Sequence, residues 1–330
     1  MTDTLLLRAL AALLIANSHI ESYYPIRQLA ADGLLGDTLF FFLSGYGLAL
    51  SARKGRRKFL DWYGRRLSRI YPAFLVAVLV FDCLLNGGWR TWGASDYLLN
   101  VVWGRDYPFV GQILVFYALF YLLTLLRRPS AYVLTFSTLF LPYLLLPVLG
   151  RGGGDAVFHA FHWLFYFQAM LLGATAAETP RLATPATRRD LAMFGGVGIV
   201  YLALRIGVST GPLRQWYFLP HMLILPMIVL LLRLARSRVV SELFNGRPAI
   251  AKAVTFLGGI TLEIYLMHYQ VIRLEWVRAL FMPANVALFF TLSILAAAGL
   301  SRGVGLTGVV LKSGGSRRRA HVEVGPSGLA

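Results

Sequence analysis

The sequence predicts an all-α, polytopic transmembrane helical bundle of about ten spans with both termini in the cytoplasm. Hydrophobic residues make up 57% of the 330 residues, and charged residues make up only 14%. Apolar runs of roughly 15 to 20 residues, close to the length that crosses a bilayer as a helix, recur from end to end. Such continuous runs alternate too little for transmembrane strands, so they favour helices over a β-barrel.

The basic residues between the spans predict the orientation of the chain. We place the spans at about 5–20, 34–50, 70–86, 111–126, 130–149, 158–177, 191–208, 216–233, 254–272 and 284–301. With the N-terminus inside, 23 lysine and arginine residues lie on the cytoplasmic side and 8 on the other side, as the positive-inside rule requires. The same bias accounts for the formal net charge of +17, and we therefore expect no nucleic-acid partner.

Two regions are predicted along the chain. Residues 1–308 carry the spans and form one transmembrane domain. Residues 309–330 combine serine, glycine and proline with a run of arginines, so we expect a disordered basic cytoplasmic tail. The first apolar run lacks the charged n-region and cleavage site of a signal peptide and is expected to remain as a span. Because Cys83 is the only cysteine, no intramolecular disulfide is expected.

The first span carries Arg8 and His19, which are costly inside a bilayer unless they are paired or face water. Their spacing of 11 residues places them within roughly 20° of one helical face and about 16 Å apart along the axis. One interpretation is a functional stripe, with a cation near one membrane surface and a titratable group near the other. The alternative is that Arg8 snorkels to the interface as an anchor and that His19 is only an interfacial residue.

The second span and the segment after it supply two further patterns. Ser44, Gly45 and Gly47 are small residues in a bulky helix, which indicates close approach of a neighbouring helix. Before the third span, Arg66 and Arg69 lie on one helical face, so their two guanidinium groups could bind phosphate together. The alternative is a positive-inside segment that contacts anionic lipid.

Four segments, in this order, resemble acyltransferase family 3, the integral-membrane O-acyltransferases of bacterial surface polysaccharides and related molecules. They are the first span with Arg8 and His19, residues 40–48 (FFFLSGYGL), residues 66–72 (RLSRIYP) and residues 258–268 (GGITLEIYLMH). The resemblance covers roughly residues 1–305 and makes residues 1–308 an acyltransferase domain. One departure lies near the fourth span, where Phe109 occupies a position at which Trp is expected.

The resemblance implies acyl transfer from a cytoplasmic acyl-CoA, with acetyl-CoA as the expected donor. The implied acceptor is a hydroxyl of an envelope polysaccharide or a lipid-linked saccharide. The family's functional positions fall on Arg8 and His19, as catalytic residues, and on Arg66 and Arg69, as CoA-binding residues. The rise of about 16 Å between Arg8 and His19 is similar to the reach of an extended pantetheine arm. His19 would act as general base, or would carry the acyl group covalently.

The implied location is the bacterial cytoplasmic (inner) membrane, where the multi-pass chain contacts membrane lipid. Glu263 and His268, in the last family-like segment, are candidates for an acceptor pocket. The alternative for the histidines near the outer surface is an interfacial belt with neighbouring Trp and Tyr residues. His159 and His162 are close enough on a helix to share a metal, but no third ligand is evident and no metal is expected.

Two other functions stay open from the sequence. One is an enzyme of the same family that transfers succinyl groups or acylates a non-glycan acceptor. The other is a proton-coupled transporter that uses Arg8, His19, Glu263 and His268 as a relay. Transporters usually show inverted repeats with broken helices in corresponding positions, and no such pairing is evident. Neither the acceptor nor the oligomeric state follows from the sequence.

Overall fold

The computed structural model describes residues 2–26, 29–30, 33–55, 58–126, 128–142, 154–209, 216 and 218–322. Within these residues the chain forms fifteen α-helices and no β-strand, which confirms the predicted all-α class. The helices are α1 (Thr2–Ser18), α2 (Gly33–Ala52), α3 (Phe59–Leu75), α4 (Gly88–Thr91), α5 (Ala94–Leu98), α6 (Pro108–Leu125), α7 (Ser130–Thr138), α8 (Gly154–Glu178), α9 (Arg188–Ser209), α10 (Phe218–Ala235), α11 (Arg238–Gly246), α12 (Pro248–Gly259), α13 (Thr261–Ile272), α14 (Glu275–Arg278) and α15 (Ala284–Val322).

Six helices among the described residues are long and apolar enough to cross a membrane. They are α2, α3 together with its continuation to Leu85, α6, α9, α10 and α15. The pair α12 and α13 adds a seventh if it counts as one broken span. The predicted span 5–20 corresponds to α1, and the predicted span 158–177 corresponds to α8. The predicted span 130–149 corresponds to the nine-residue α7, and its residues 143–149 lie outside the described residues. Ten spans and cytoplasmic termini therefore stay predictions.

The first helix ends earlier than the predicted span. The amide of His19 donates to the carbonyl of Ala16 at 3.3 Å, and the amide of Ile20 donates to the carbonyl of Asn17 at 3.2 Å. These bonds to the third preceding residue tighten the last turn, as is common where an α-helix ends. His19 consequently lies in the turn just beyond α1 rather than within it.

Glycines allow α2 and α8 to pack with their backbones in contact. A Cβ atom at Gly45 of α2 would overlap the carbonyl oxygen of Met170 on α8, and one at Gly173 of α8 would overlap the carbonyl oxygen of Phe42. Backbones can approach this closely only where neither helix carries a side chain. The close approach predicted from the small residues of the second span is therefore confirmed at Gly45.

The third helix has a basic first half and an apolar second half. Trp62 and Ile70 are buried, whereas Arg65 and Arg69 are exposed. After Leu75 the chain continues as a π-helix over Val76–Leu85, so the whole segment spans 27 residues. The arginines thus lie at one end of a membrane-length helix, where they can reach water.

The predicted ninth span is not one straight helix. α12 and α13 meet at an angle of 75°, and the break follows the glycine pair Gly258 and Gly259, which is a common cause of sharp bends. A Cβ atom at Gly258 would overlap the backbone carbonyl of Leu5 in α1. The glycine therefore lets α1 contact the end of α12 directly, and the bend directs the first turn of α13 toward the interior.

The last helix crosses the boundary that we predicted between domain and tail. α15 begins at Ala284 and extends to Val322, beyond residue 308. Residues 323–330 lie outside the described residues. The boundary and the disordered tail stay predictions.

Candidate active site

A cavity of about 330 Å³ lies where α1, α2, α3 and α6 meet the junction of α12 and α13. We call it the arginine cavity, because four arginines line it: Arg8, Arg65, Arg66 and Arg69. Part of its wall is apolar and comes from Phe40, Leu43, Phe109, Val110 and Ile113. The cavity thus combines a strongly cationic region with a region that can accept an apolar chain.

Of the four residues predicted to be catalytic or to bind CoA, all except His19 meet in this cavity. Arg8 projects from α1, and Arg66 and Arg69 project from α3. In the part of the chain that the structure describes, neither Arg8 nor Arg69 forms an ion pair with a carboxylate. Like charges held close together without direct ion pairs repel each other, which favours binding of an anion between them.

Arg66 is more firmly positioned than its neighbours. Its Nη1 donates to the carbonyl oxygen of Trp62 at 2.8 Å, and its guanidinium carbon lies 3.9 Å from the centroid of the Trp62 ring. Both contacts follow from the spacing of four residues, which places the two side chains one above the other on α3. Trp62 is itself buried, so it holds the guanidinium group in a fixed orientation.

Glu263 lines the arginine cavity, together with Gly259, Thr261 and Leu262. It belongs to the first turn of α13, directly after the bend that begins at Gly259. The structure therefore places Glu263 with the residues predicted to bind CoA. It does not place Glu263 with His268, because a separation of five residues turns the two side chains about 140° apart on a helix.

A second group, the histidine cluster, consists of His19, in the turn after α1, and of His268 and Tyr269 on α13. The ring centroids of His19 and His268 are 5.1 Å apart. The hydroxyl of Tyr269 lies 3.2 Å from Nε2 of His19, at hydrogen-bond distance. His19 is exposed, whereas His268 is fully buried. Arg8 and His19, predicted to form one stripe, thus belong to two different groups.

The buried histidine has one fixed ring nitrogen. Nδ1 of His268 lies 3.2 Å from the carbonyl oxygen of Ile264, and since a carbonyl only accepts, Nδ1 must carry the hydrogen. Nε2 of His268 is buried without a hydrogen-bond partner among the described residues. His268 therefore offers a lone pair beside His19.

A family model described as an acyltransferase domain, that of acyltransferase family 3, matches residues 6–302. The chain belongs to acyltransferase family 3. The match includes all of the arginine cavity and the histidine cluster, and with the candidate spans it makes the chain a membrane acyltransferase. The resemblance inferred from the four segments is confirmed. No curated protein and no solved structure matches the chain.

Aromatic rings lie between the arginine cavity and the histidine cluster of this acyltransferase. Phe109, which lines the arginine cavity, packs against Tyr265 with ring centroids 5.2 Å apart. Tyr265 in turn lies 5.7 Å from the ring of His268 and 5.7 Å from the ring of Tyr269. Phe109 is thus part of an aromatic wall between the arginine cavity and the histidine cluster.

A polar network beside the histidine cluster was missed from the sequence. Asp82 is only 4% exposed and accepts hydrogen bonds from the Tyr107 hydroxyl at 2.7 Å, from Nε2 of Gln270 at 3.0 Å and from Nη1 of Arg273 at 2.8 Å. The ring of Tyr107 lies 5.7 Å from that of Tyr269. A carboxylate inside the apolar run Val76–Leu85 is a signal for a functional site and could have identified this network.

Two further histidines, His162 and His221, pack against each other. His162 and His221 have ring centroids 5.4 Å apart, and the side chain of His159 lies outside the described residues. No group of three His, Cys, Asp or Glu side chains in the described ranges is arranged to hold a metal ion.

Proposed function

We propose that this chain moves an acetyl group from cytoplasmic acetyl-CoA to a hydroxyl of an envelope polysaccharide or a lipid-linked saccharide. The proposed location is the bacterial cytoplasmic (inner) membrane. Family membership supports acyl transfer in a membrane. The donor, the acceptor and the roles of individual residues are parts of the proposal.

The observation that carries the proposal is the arginine cavity. CoA carries a diphosphate and a 3′-phosphate, and guanidinium groups bind phosphates through charge-assisted hydrogen bonds. Arg66 and Arg69, on one face of α3, are suited to the diphosphate, with Arg8 beside them. The apolar wall at Phe40 and Phe109 is suited to the uncharged arm that carries the thioester.

His19 is the proposed catalytic base, in agreement with its exposure and its contact with Tyr269. If Nε2 of His19 donates its hydrogen to the hydroxyl oxygen of Tyr269, Nδ1 keeps the lone pair that accepts a proton. The acceptor oxygen then attacks the thioester carbonyl carbon and the carbon–sulfur bond breaks. His19 takes the hydroxyl proton and delivers it to the departing thiolate, so CoA leaves as the free thiol.

A covalent route through His19 is the variant of the same proposal. The imidazole nitrogen would attack the thioester first, release CoA and pass the acetyl group to the acceptor in a second step. The two routes differ in kinetics, because only the covalent route releases CoA before the acceptor binds. The Tyr269 hydroxyl would orient the imidazole in both.

Of the two residues that the sequence suggested for the acceptor pocket, we retain only His268. His268 stays a candidate for the acceptor pocket because it lies beside His19. The position of Glu263 in the arginine cavity favours a role on the donor side, where its carboxylate can limit how many anionic groups the arginines hold.

The test is CoA release from acetyl-CoA by the purified protein in liposomes, with and without a crude extract of lipid-linked glycans. We expect thiol release that requires both the extract and His19, so that His19→Ala binds acetyl-CoA but releases none. Release without extract would favour the covalent route. Full activity of His19→Ala would refute the proposed role of this residue, and absence of release with every acceptor would refute acetyl transfer.

A further inference from the structure

A second cavity, of about 320 Å³, lies beside the arginine cavity at the end of α2. It is enclosed by the ends of α2, α6 and α8 and by the starts of α3 and α7, and we call it the aromatic cavity. The residues that matter for its chemistry are Arg53, Trp62, Tyr121, Arg128, Tyr132 and Glu178.

The two cavities are separated by a single turn of α3. Trp62 lines the aromatic cavity, and Arg66, one turn later, lines the arginine cavity. The guanidinium carbon of Arg66 lies 3.9 Å from the centroid of the Trp62 ring. A molecule whose anionic middle lies against Arg66 can therefore extend one end into each cavity.

The walls of the aromatic cavity are suited to a planar ring. Trp62 and Tyr121 have ring centroids 5.3 Å apart, and Tyr132, which also lines the cavity, stacks on Phe120. All three lining rings are nearly buried, so their positions are fixed by packing. Aromatic side chains bind nucleobases by stacking, whatever the base.

Of the three charged residues that line the aromatic cavity, Arg53 and Glu178 neutralise each other, so the net positive charge lies on Arg128. Arg53 is occupied, because its Nε and Nη2 donate to the carboxylate of Glu178 at 3.1 and 3.0 Å. The carboxylate of Glu178 raises the pKa of the Arg53 guanidinium, which lies outside the membrane-spanning helices. Arg128 is exposed and, within the described residues, forms no ion pair. Its charge is available to an anionic ligand.

We infer that the aromatic cavity binds the adenosine 3′-phosphate end of the donor, with the adenine against Trp62 and Tyr121 and the 3′-phosphate at Arg128. The inference rests on the proposed function, because it requires a CoA thioester in the arginine cavity. The diphosphate then lies at Arg66 and Arg69, and the pantetheine arm enters the arginine cavity. One donor molecule thus uses both cavities.

An anionic lipid headgroup offers the same phosphate chemistry to Arg128. It has no planar ring for Trp62 and Tyr121, and it would leave the aromatic walls without a ligand group. The walls therefore favour the nucleotide, and the experiment includes both ligands.

The test compares binding of acetyl-CoA and of acetyl-dephospho-CoA, which lacks only the 3′-phosphate, by calorimetry on the full chain in nanodiscs. We expect the wild type to prefer acetyl-CoA by about tenfold, as one charge-assisted contact implies. Arg128→Gln should bind both thioesters equally, with the wild-type affinity for acetyl-dephospho-CoA. Arg90→Gln is the matched control: Arg90 is also exposed, lies 4.6 Å from the ring of Trp89 and lines neither cavity.

A second variant fills the aromatic cavity. Thr124 lines it, and Thr124→Trp should weaken acetyl-CoA binding at least about tenfold while S-acetylpantetheine, which has no nucleotide, binds as to wild type. Thermal melting checks that Thr124→Trp is folded. If Thr124→Trp does not fold, the test depends on Arg128→Gln alone.

Three outcomes would overturn the inference. The first is an undiminished preference for acetyl-CoA in Arg128→Gln. The second is a preference that is absent from the wild type. The third is an effect of Arg128→Gln only on stabilisation by phosphatidylglycerol, in nanodiscs with and without that lipid, which would assign the cavity to lipid. Failure of the wild type to bind any of the thioesters would instead refute the proposed function.

Discussion

Replacing Arg69 by glutamine should weaken acetyl-CoA binding without affecting the fold. Arg69 is exposed, lines the arginine cavity and has no ion pair among the described residues, so the folded protein loses little when its charge is removed. A hydrogen bond to a charged group is worth about 1.5–3 kcal/mol. The dissociation constant should therefore rise by about 10- to 150-fold, and the thermal midpoint should stay at the wild-type value.

Arg66→Gln should behave differently, although both arginines line the same cavity. Its side chain also bonds to the Trp62 carbonyl at 2.8 Å and stacks on the Trp62 ring. Those two contacts contribute about 0.5–1.5 kcal/mol and about 0.5–1 kcal/mol to stability. We therefore expect a similar loss of affinity together with a lower thermal midpoint.

The assay is calorimetric titration of acetyl-CoA into detergent-solubilised protein, with thermal melting of each variant. Arg238→Gln is the control, because the Arg238 side chain is 90% exposed and, among the described residues, its only ion pair is with Glu242 on its own helix. If Arg69→Gln binds acetyl-CoA with the wild-type dissociation constant, the arginine cavity is not the donor site. If Arg238→Gln weakens binding as much, the effect is one of net charge and not of the cavity.

Three further substitutions test the histidine cluster, the polar network and the helix packing. Tyr269→Phe removes the hydroxyl at 3.2 Å from His19 and should lower kcat about fivefold with unchanged acetyl-CoA affinity. Asp82→Asn replaces a carboxylate that accepts three hydrogen bonds by an amide, which carries only one acceptor oxygen. It should destabilise the fold by about 2 kcal/mol, measured by thermal melting. Gly45→Ala places a Cβ on the Met170 carbonyl and should destabilise by about 1–3 kcal/mol.

Each of these has an outcome that contradicts it. An unchanged kcat in Tyr269→Phe would show that the hydroxyl does not orient His19. A wild-type midpoint for Asp82→Asn would mean that the network relaxes without cost. For the glycine, Gly195→Ala is the control: a Cβ there meets no atom within 4 Å, so it should stabilise α9 by about 0.5–1 kcal/mol through helix propensity.

The helical membrane character of the chain could be predicted because it depends on local properties. A long continuous run of apolar residues forms a helix in a bilayer, since only a helix satisfies the backbone hydrogen bonds within a single segment. Likewise, the positions of Arg66 and Arg69 on one face of α3 follow from helix geometry alone, and the structure brings both into one cavity. The small residue Gly45 predicted close packing for a similarly local reason.

The limits of that reasoning show at the first and ninth predicted spans. The stripe of Arg8 and His19 assumed an unbroken helix to Ile20, but the last turn tightens and His19 turns toward α13. Glu263 was grouped with His268 because both lie in one segment, whereas the bend after Gly259 turns Glu263 into the arginine cavity. Helix periodicity gives the face of a side chain but not the neighbour that this face meets.

By itself, the sequence determined the class of the protein, its family and the residue types that its chemistry requires. Only the tertiary structure decided that the arginines and the histidines form two groups, with Phe109 and Tyr265 between them. It alone revealed Asp82 as the centre of a network and placed the aromatic cavity beside Arg66. The physical reason is that these groups come from helices distant in the chain, and their contacts depend on packing that no single segment encodes.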